Sequence, residues 1–154
     1  VSGVTHNDKE IKFTLFGVPD QPGIAGTVFG SLSEIGINVD MIVQNVGADG
    51  LANFTFTVPR NDYKEAFKSL EESSNKLKAK KVEGNNKIVK ISMVGVGMRT
   101  HAGIASKMFS VLADNNINIS MISNSEIKIS VVTNEENLSL AVNVLHSAFG
   151  LDVS

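Results

Sequence analysis

The chain has 154 residues, 42% of them hydrophobic and 19% charged, with a formal net charge of −2 and an isoelectric point near 5.9. That balance gives no electrostatic footprint for nucleic acid or for an anionic membrane. The absence of cysteine removes disulfides, thiolate metal sites and cysteine nucleophiles together. No apolar run approaches the roughly 18 residues of a membrane-spanning helix, and the opening VSGVTHNDKE is not a signal peptide, so a cytoplasmic location is expected.

A short strand-like VSGVT comes first, over residues 1–5. Residues 10–18 then alternate, with Ile11, Phe13 and Leu15 on one face and Lys12 and Thr14 on the other, which predicts a half-buried strand. VPDQPG follows as a turn, in which Asp20 is suited to capping a helix and Pro22 to its first turn. The spacing of Ile24, Ala25, Val28, Phe29 and Leu32 predicts a helix to about Ile35, ended by Gly36. Ile37, Val39, Met41 and Val43 read as a second strand, GADG as a hairpin, and residues 51–58 as a third strand stopped by Pro59. A second helix starts near Asn61 or Asp62 and buries Tyr63, Ala66, Phe67 and Leu70. A lysine-rich strand over roughly 77–82 closes the unit, and Lys76, Lys78, Lys80 and Lys81 read as protection for a sheet edge.

Residues 23–45 recur as residues 103–125. Gly23, Ile24, Ala25, Phe29, Leu32, Ile37, Asn38, Met41 and Ile42 match Gly103, Ile104, Ala105, Phe109, Leu112, Ile117, Asn118, Met121 and Ile122. One supersecondary unit is used twice, giving two small lobes rather than a solenoid. In the second copy, strands are predicted over 87–96, 117–122 and 126–132, and a final helix over 136–149 with Leu138, Val142, Leu145 and Phe149 on one face. That copy stops short of a fourth strand, while residues 1–5 have no place in the first. The economical arrangement lends the N-terminal strand to the second lobe. The fold class expected is therefore α+β, two ferredoxin-like βαββαβ domains, each a four-stranded antiparallel sheet with two helices on one face. The first domain covers 10–85 and is inserted in the second, made of 86–154 plus the N-terminal strand 1–9.

Two places could hold a ligand. At the strand-to-helix turns, Asp20, Gln21, Pro22 and Gly23 in one lobe and Thr100, His101, Ala102 and Gly103 in the other, a helix N-terminus offers backbone amides to an anion such as a carboxylate. The competing reading is an ordinary cap followed by a glycine needed for close packing. Period two also places Asn38, Asp40 and Gln44 on one strand face, with Asn118, Ser120 and Asn124 as counterparts, where an ammonium or hydroxyl could pair. A solvated strand face explains these residues as well. Phe54 and Phe56 share a face but lack the basic, glycine-flanked setting of an RNA-stacking sheet, so they read as core. His6, His101 and His146 lie at no metal-ligand spacing, and no catalytic constellation stands out.

FGVPDQPGIAGTVFGSLSEIGINVDMIVQNV, VGVGMRTHAGIASKMF and, most specifically, MISNSEIKISVV resemble the C-terminal regulatory region of bacterial aspartokinases. The resemblance covers essentially the whole chain and implies a pair of ACT domains without a catalytic role. It further implies a kinase catalytic domain before Val1, or a separate catalytic subunit, as partner. An end-product amino acid, threonine or lysine or both, would bind between ACT domains that meet in a homodimer, with no cofactor or metal. Carried over by motif, the effector-binding residues would be Asp20, Pro22, Gly23, Ile24, Ala25, Asn38, Val39, Asp40 and Gln44. From the second lobe they would be His101, Gly103, Ala105, Asn118 and Ile119. The chain departs from the commoner family pattern at Gly47 (for Ser), Ala52-Asn53 (for Thr-Asp), Ala102 (for Pro) and Asn124 (for Thr). Two other classes compete. An acylphosphatase-type enzyme needs an arginine in a phosphate-cradling loop, which VPDQPG lacks, and a ligand-free dimerisation module would leave the polar turns empty.

Overall fold

The computed structural model describes residues 3–95, 101–125 and 127–150. In chain order the elements are β1 Gly3–Asn7, β2 Glu10–Pro19, α1 Ile24–Glu34, β3 Ile42–Val46, β4 Leu51–Pro59, α2 Tyr63–Leu77 and β5 Lys81–Asn85. They continue as β6 Ile88–Val94, α3 His101–Asp114, β7 Met121–Asn124, β8 Lys128–Asn134 and α4 Leu138–Ala148. Single 3-10 turns, Arg60–Asp62 and Glu135–Asn137, lead into α2 and α4. The strands form two four-stranded sheets, ordered β3-β4-β2-β5 and β1-β6-β8-β7, and every pairing is antiparallel. β1 lies against β6, with Gly3 opposite Val94 and Asn7 opposite Lys90. The chain divides into two compact units, Lys9–Asn86 and Val1–Asp8 with Lys87–Ser154.

Each unit is two layers, because a sheet with one apolar face must cover it. In the Lys9–Asn86 unit, Phe13, Leu15, Phe54 and Phe56 from the sheet pack with Val28 and Leu32 of α1 and with Ala66 and Leu70 of α2. Phe29 sets its ring edge-on against Phe54 and Phe56, at centroid distances of 5.9 and 5.1 Å. Such pairs add about 0.5–1.5 kcal/mol beyond the area they bury. The other unit packs Val89, Ile91, Met93, Ile129 and Val131 against Met108, Leu112, Ala141 and Leu145, with Val4 of β1 at the margin. The ferredoxin-like α+β class and the reading of Phe54 and Phe56 as core both hold.

Several predicted boundaries move, each for a local reason. α1 begins at Ile24 with Gly23 as its N-cap at φ 89, a left-handed conformation that suits glycine, and no side chain caps it. Asp20 is therefore not the cap, and Pro22 precedes the helix. α2 runs to Leu77, and β5 starts only at Lys81, because Leu77 and Ala79 reach back into the first core instead of alternating along a strand. β5 is a sheet edge as expected, but of the four lysines only Lys81 lies on it. Lys78 forms the left-handed C-cap of α2 at φ 59, and the Lys80 amide donates to the Phe16 carbonyl at 2.8 Å. Tyr63, expected inside, is 40% exposed, with its ring stacked on Phe13 at 5.6 Å. Ala25 is exposed as well, on the side of α1 turned from the core. In the second copy, ladder pairing carries β8 two residues further than predicted, to Asn134. The 3-10 turn delays α4 until Leu138.

Candidate functional site

Two irregularities of the first sheet decide where its polar residues point. On β2, Leu15 faces Phe54 and Val18 faces Ala52, so Phe16 and Gly17 together oppose Asn53. A bulge of this kind inserts one residue and reverses the alternation beyond it. Leu15 and Val18 are consequently both fully buried. Gly17 takes φ +65, and a Cβ on it would sit 2.6 Å from Cγ of Lys80, so conformation and space both call for glycine there.

The second irregularity lies ahead of β3. The strand predicted from Ile37 enters its ladder only at Ile42. Asp40 donates its amide to the Thr57 carbonyl at 3.0 Å, while the Thr57 amide donates to the Met41 carbonyl at 3.1 Å. Two residues again oppose one, and Thr57 Oγ1 accepts the Met41 amide at 3.1 Å. Ile37 and Val39 pack on the first core before this point, and Ile42 and Gln44 lie opposite Phe56 and Phe54 after it. The predicted common face of Asn38, Asp40 and Gln44 is thus broken: Gln44 turns to the helix side of the sheet. The second lobe repeats the pattern, with the Ser120 amide donating to the Val132 carbonyl at 2.8 Å while Met121 is the ladder partner of Val132.

Together these shifts assemble one open cavity of about 380 Å³, lined by Pro19, Asp20, Gln21, Pro22, Gly23, Ile24, Ala25, Gln44 and Phe54. Helix geometry leaves the first amides of α1 without intrahelical acceptors. The Ile24 amide reaches back to the Gln21 carbonyl at 3.4 Å, and no side chain covers the others. The Asp20 backbone is fixed by its amide donating to the Gly50 carbonyl at 3.1 Å, leaving the carboxylate at an exposed position beside the helix start. The cavity therefore offers partial positive charge from the helix, a carboxylate, and an amide side chain over an aromatic floor.

Asp20, Pro22, Gly23, Ile24, Ala25 and Gln44 meet there, whereas Asn38, Val39 and Asp40 do not line it. The latter follow the C-terminus of α1, and an 11-residue helix separates its ends by about 16 Å. Asn38 and Asp40 are exposed and Val39 is half-buried. In the second lobe, Gly103 and Asn118 are exposed, and Ala105 and Ile119 pack at the edge of the second core. The Asn118 carbonyl accepts the Thr133 hydroxyl at 2.6 Å. His101 opens α3, but its side chain and residues 96–100 of the turn lie outside the described residues. Pro19 and Phe54 belong to the cavity although no sequence signal marked them. Phe54 reads as core and is core, and only its cross-strand pairing with Gln44 puts its edge at the site. Among the described residues, no group of three or more His, Asp or Glu gathers as metal ligands, and no helix is long and apolar enough to cross a membrane.

Fold and repeat together define a tandem pair of ferredoxin-like domains. The ACT domain family model matches residues 14–73 and 91–149. An aspartate kinase of Pseudomonas putida is 54% identical over 152 residues, which is 99% of this chain and 37% of that protein. A crystal structure of aspartokinase alpha and beta subunits superposes with a TM-score of 0.92 at 43% identity, covering 97% of this chain and 99% of that one. The ligand-free regulatory subunit of aspartate kinase from Thermus thermophilus gives a TM-score of 0.91 at 38% identity, covering 97% and 98%. The chain belongs to the ACT-domain family, as the regulatory part of an aspartokinase, and no kinase domain lies within its 154 residues.

Proposed function

We propose that this chain senses an amino acid, threonine and/or lysine, and sets the activity of an aspartokinase catalytic domain or subunit through feedback control. The observation that carries the reading is the cavity at the α1 N-terminus, where Asp20 and Gln44 converge on amides that no side chain caps. An amino-acid ligand brings a carboxylate and an ammonium on one carbon. The first-turn amides suit the carboxylate, and the Asp20 carboxylate with the Gln44 side-chain oxygen suits the ammonium, or a threonine hydroxyl. A volume of about 380 Å³ falls at the small end of ligand pockets, roughly 300–1,000 Å³.

The second part of the proposal is a homodimer. β3 is a sheet edge with Ile42, Val43 and Val46 exposed at 52%, 38% and 48%, a two-sided apolar edge that favours coverage by another surface. Asn38, Val39 and Asp40, which lead into β3, would then contribute to a ligand across that interface. Effector binding would bias one arrangement of the assembly over another, with a coupling of about 1–3 kcal/mol. Isothermal titration calorimetry of the chain with threonine and with lysine tests the reading. Saturable heat with at least one is expected, and no heat with either at millimolar concentration would sink it.

A further inference from the structure

We propose that Asn53 is a positioning residue for the turn over residues 19–25, acting on it through the Gly17 amide. The proposal rests on the reading of that turn as an amino-acid site. Asn53 does not line the cavity there. It lies on β4 and lines a separate cleft with Phe16, Gly17 and Lys80. Its Oδ1 accepts the Gly17 amide at 2.9 Å. At a bulge the extra residue has no ladder partner, and a buried or half-buried amide left unpaired is costly. The residue opposing the bulge supplies the missing acceptor from its own side chain.

The bulge matters to the site because little chain separates the two. Only Val18 and Pro19, paired with Ala52 and Leu51, intervene between Gly17 and Asp20. The turn then hangs from one further tie, the Asp20 amide on the Gly50 carbonyl at 3.1 Å. Both ties come from the Gly50–Asn53 stretch that opens β4. If the bulge relaxed into a regular ladder, the alternation after Leu15 would reverse: Val18 would leave the core and Asp20 would change sides. Asn53 therefore fixes the direction in which the turn presents its carboxylate and amides. Lys80 holds the opposite flank, its amide on the Phe16 carbonyl and its stem over Gly17, so the acceptor on the β4 side falls to Asn53.

The test compares Asn53→Ala, which removes the acceptor, with Asn53→Asp, which keeps an oxygen in place, in the full 154-residue chain. Asn53→Leu serves if the alanine variant fails to fold, since it keeps the volume and loses only the polar atoms. NMR amide exchange at Gly17 and Asp20 is read beside calorimetry with threonine and lysine. The expected result is loss of protection at both amides in Asn53→Ala and affinity weakened about tenfold, the scale of one lost hydrogen bond, with Asn53→Asp restoring both. Unchanged protection at Gly17, or lost protection with unchanged affinity, would overturn the proposal. So would an Asn53→Asp variant as impaired as the alanine one. If the unmodified chain binds neither amino acid, the functional reading fails. The positioning role is then decided by the amide shifts of residues 20–25: movement in Asn53→Ala and recovery in Asn53→Asp support it, and no movement overturns it.

Discussion

Asp20 changes its role between sequence and structure. Read along the chain it is suited to capping α1, yet Gly23 is the N-cap and Asp20 stands three residues earlier, facing the cavity. This separates two effects cleanly. Asp20→Asn keeps the side-chain shape and removes the charge, and with no cap to lose, the melting temperature of the ligand-free chain should stay within a degree or so. If the carboxylate meets a ligand ammonium, affinity for threonine should fall by about 1.5–3 kcal/mol. Calorimetry and a melting curve on the one variant decide it: unchanged affinity would return Asp20 to an ordinary exposed acid, and Gln44 would be the next residue to test.

At the scale of elements, α2 and β3 show where periodicity stops being informative. α2 ends on Lys78 in a left-handed conformation at φ 59, with the Ala79 amide closing on the Ser74 carbonyl at 2.9 Å. A side chain there is strained, so Lys78→Gly should stabilise the Lys9–Asn86 unit by about 0.5–1 kcal/mol, measured as a shift of the denaturant midpoint at constant slope. A lower midpoint would mean that the lysine stem contributes packing that outweighs the strain. β3 poses a different question, because its alternation gives no clean inside and outside: Ile42 and Val43 are neighbours and both are exposed. If a second copy covers this edge, Ile42→Lys should weaken self-association at least tenfold by sedimentation while leaving the monomer folded, since a half-exposed side chain contributes little to its own core. An unchanged association constant would place the interface elsewhere.

For the molecule as a whole, the division of the chain is set by β1. Its pairing with β6 gives the Val1–Asp8 and Lys87–Ser154 unit its fourth strand, and Val4 joins that unit's core. Removing residues 1–8 should expose the β6 edge and lower hydrogen-exchange protection along β6 and β8, while β2 and β4 of the other unit keep theirs. Equal loss in both units would mean that they unfold together. Each unit is small enough that one strand is a large share of its buried surface.

The duplicated pattern, the apolar periods and the turn residues determined the two-lobe α+β fold, the identity of the core positions such as Phe13, Phe54, Phe56 and Leu112, and the family. These are statements about which residues must leave water, and hydrophobic spacing records that directly. The direction of each polar side chain is another matter. Gln44 and Asp20 reach one cavity because a single extra residue, at Phe16-Gly17 and again at Asp40-Met41, reverses the alternation of a strand. A bulge leaves almost no mark in a sequence, since it is decided by what the opposing strand offers: Asn53 and Thr57 accept the displaced amides from 36 and 16 residues away. Local periodicity therefore specified most of what is buried, Ala25 and Tyr63 excepted, and cross-strand hydrogen bonding decided which way the site faces.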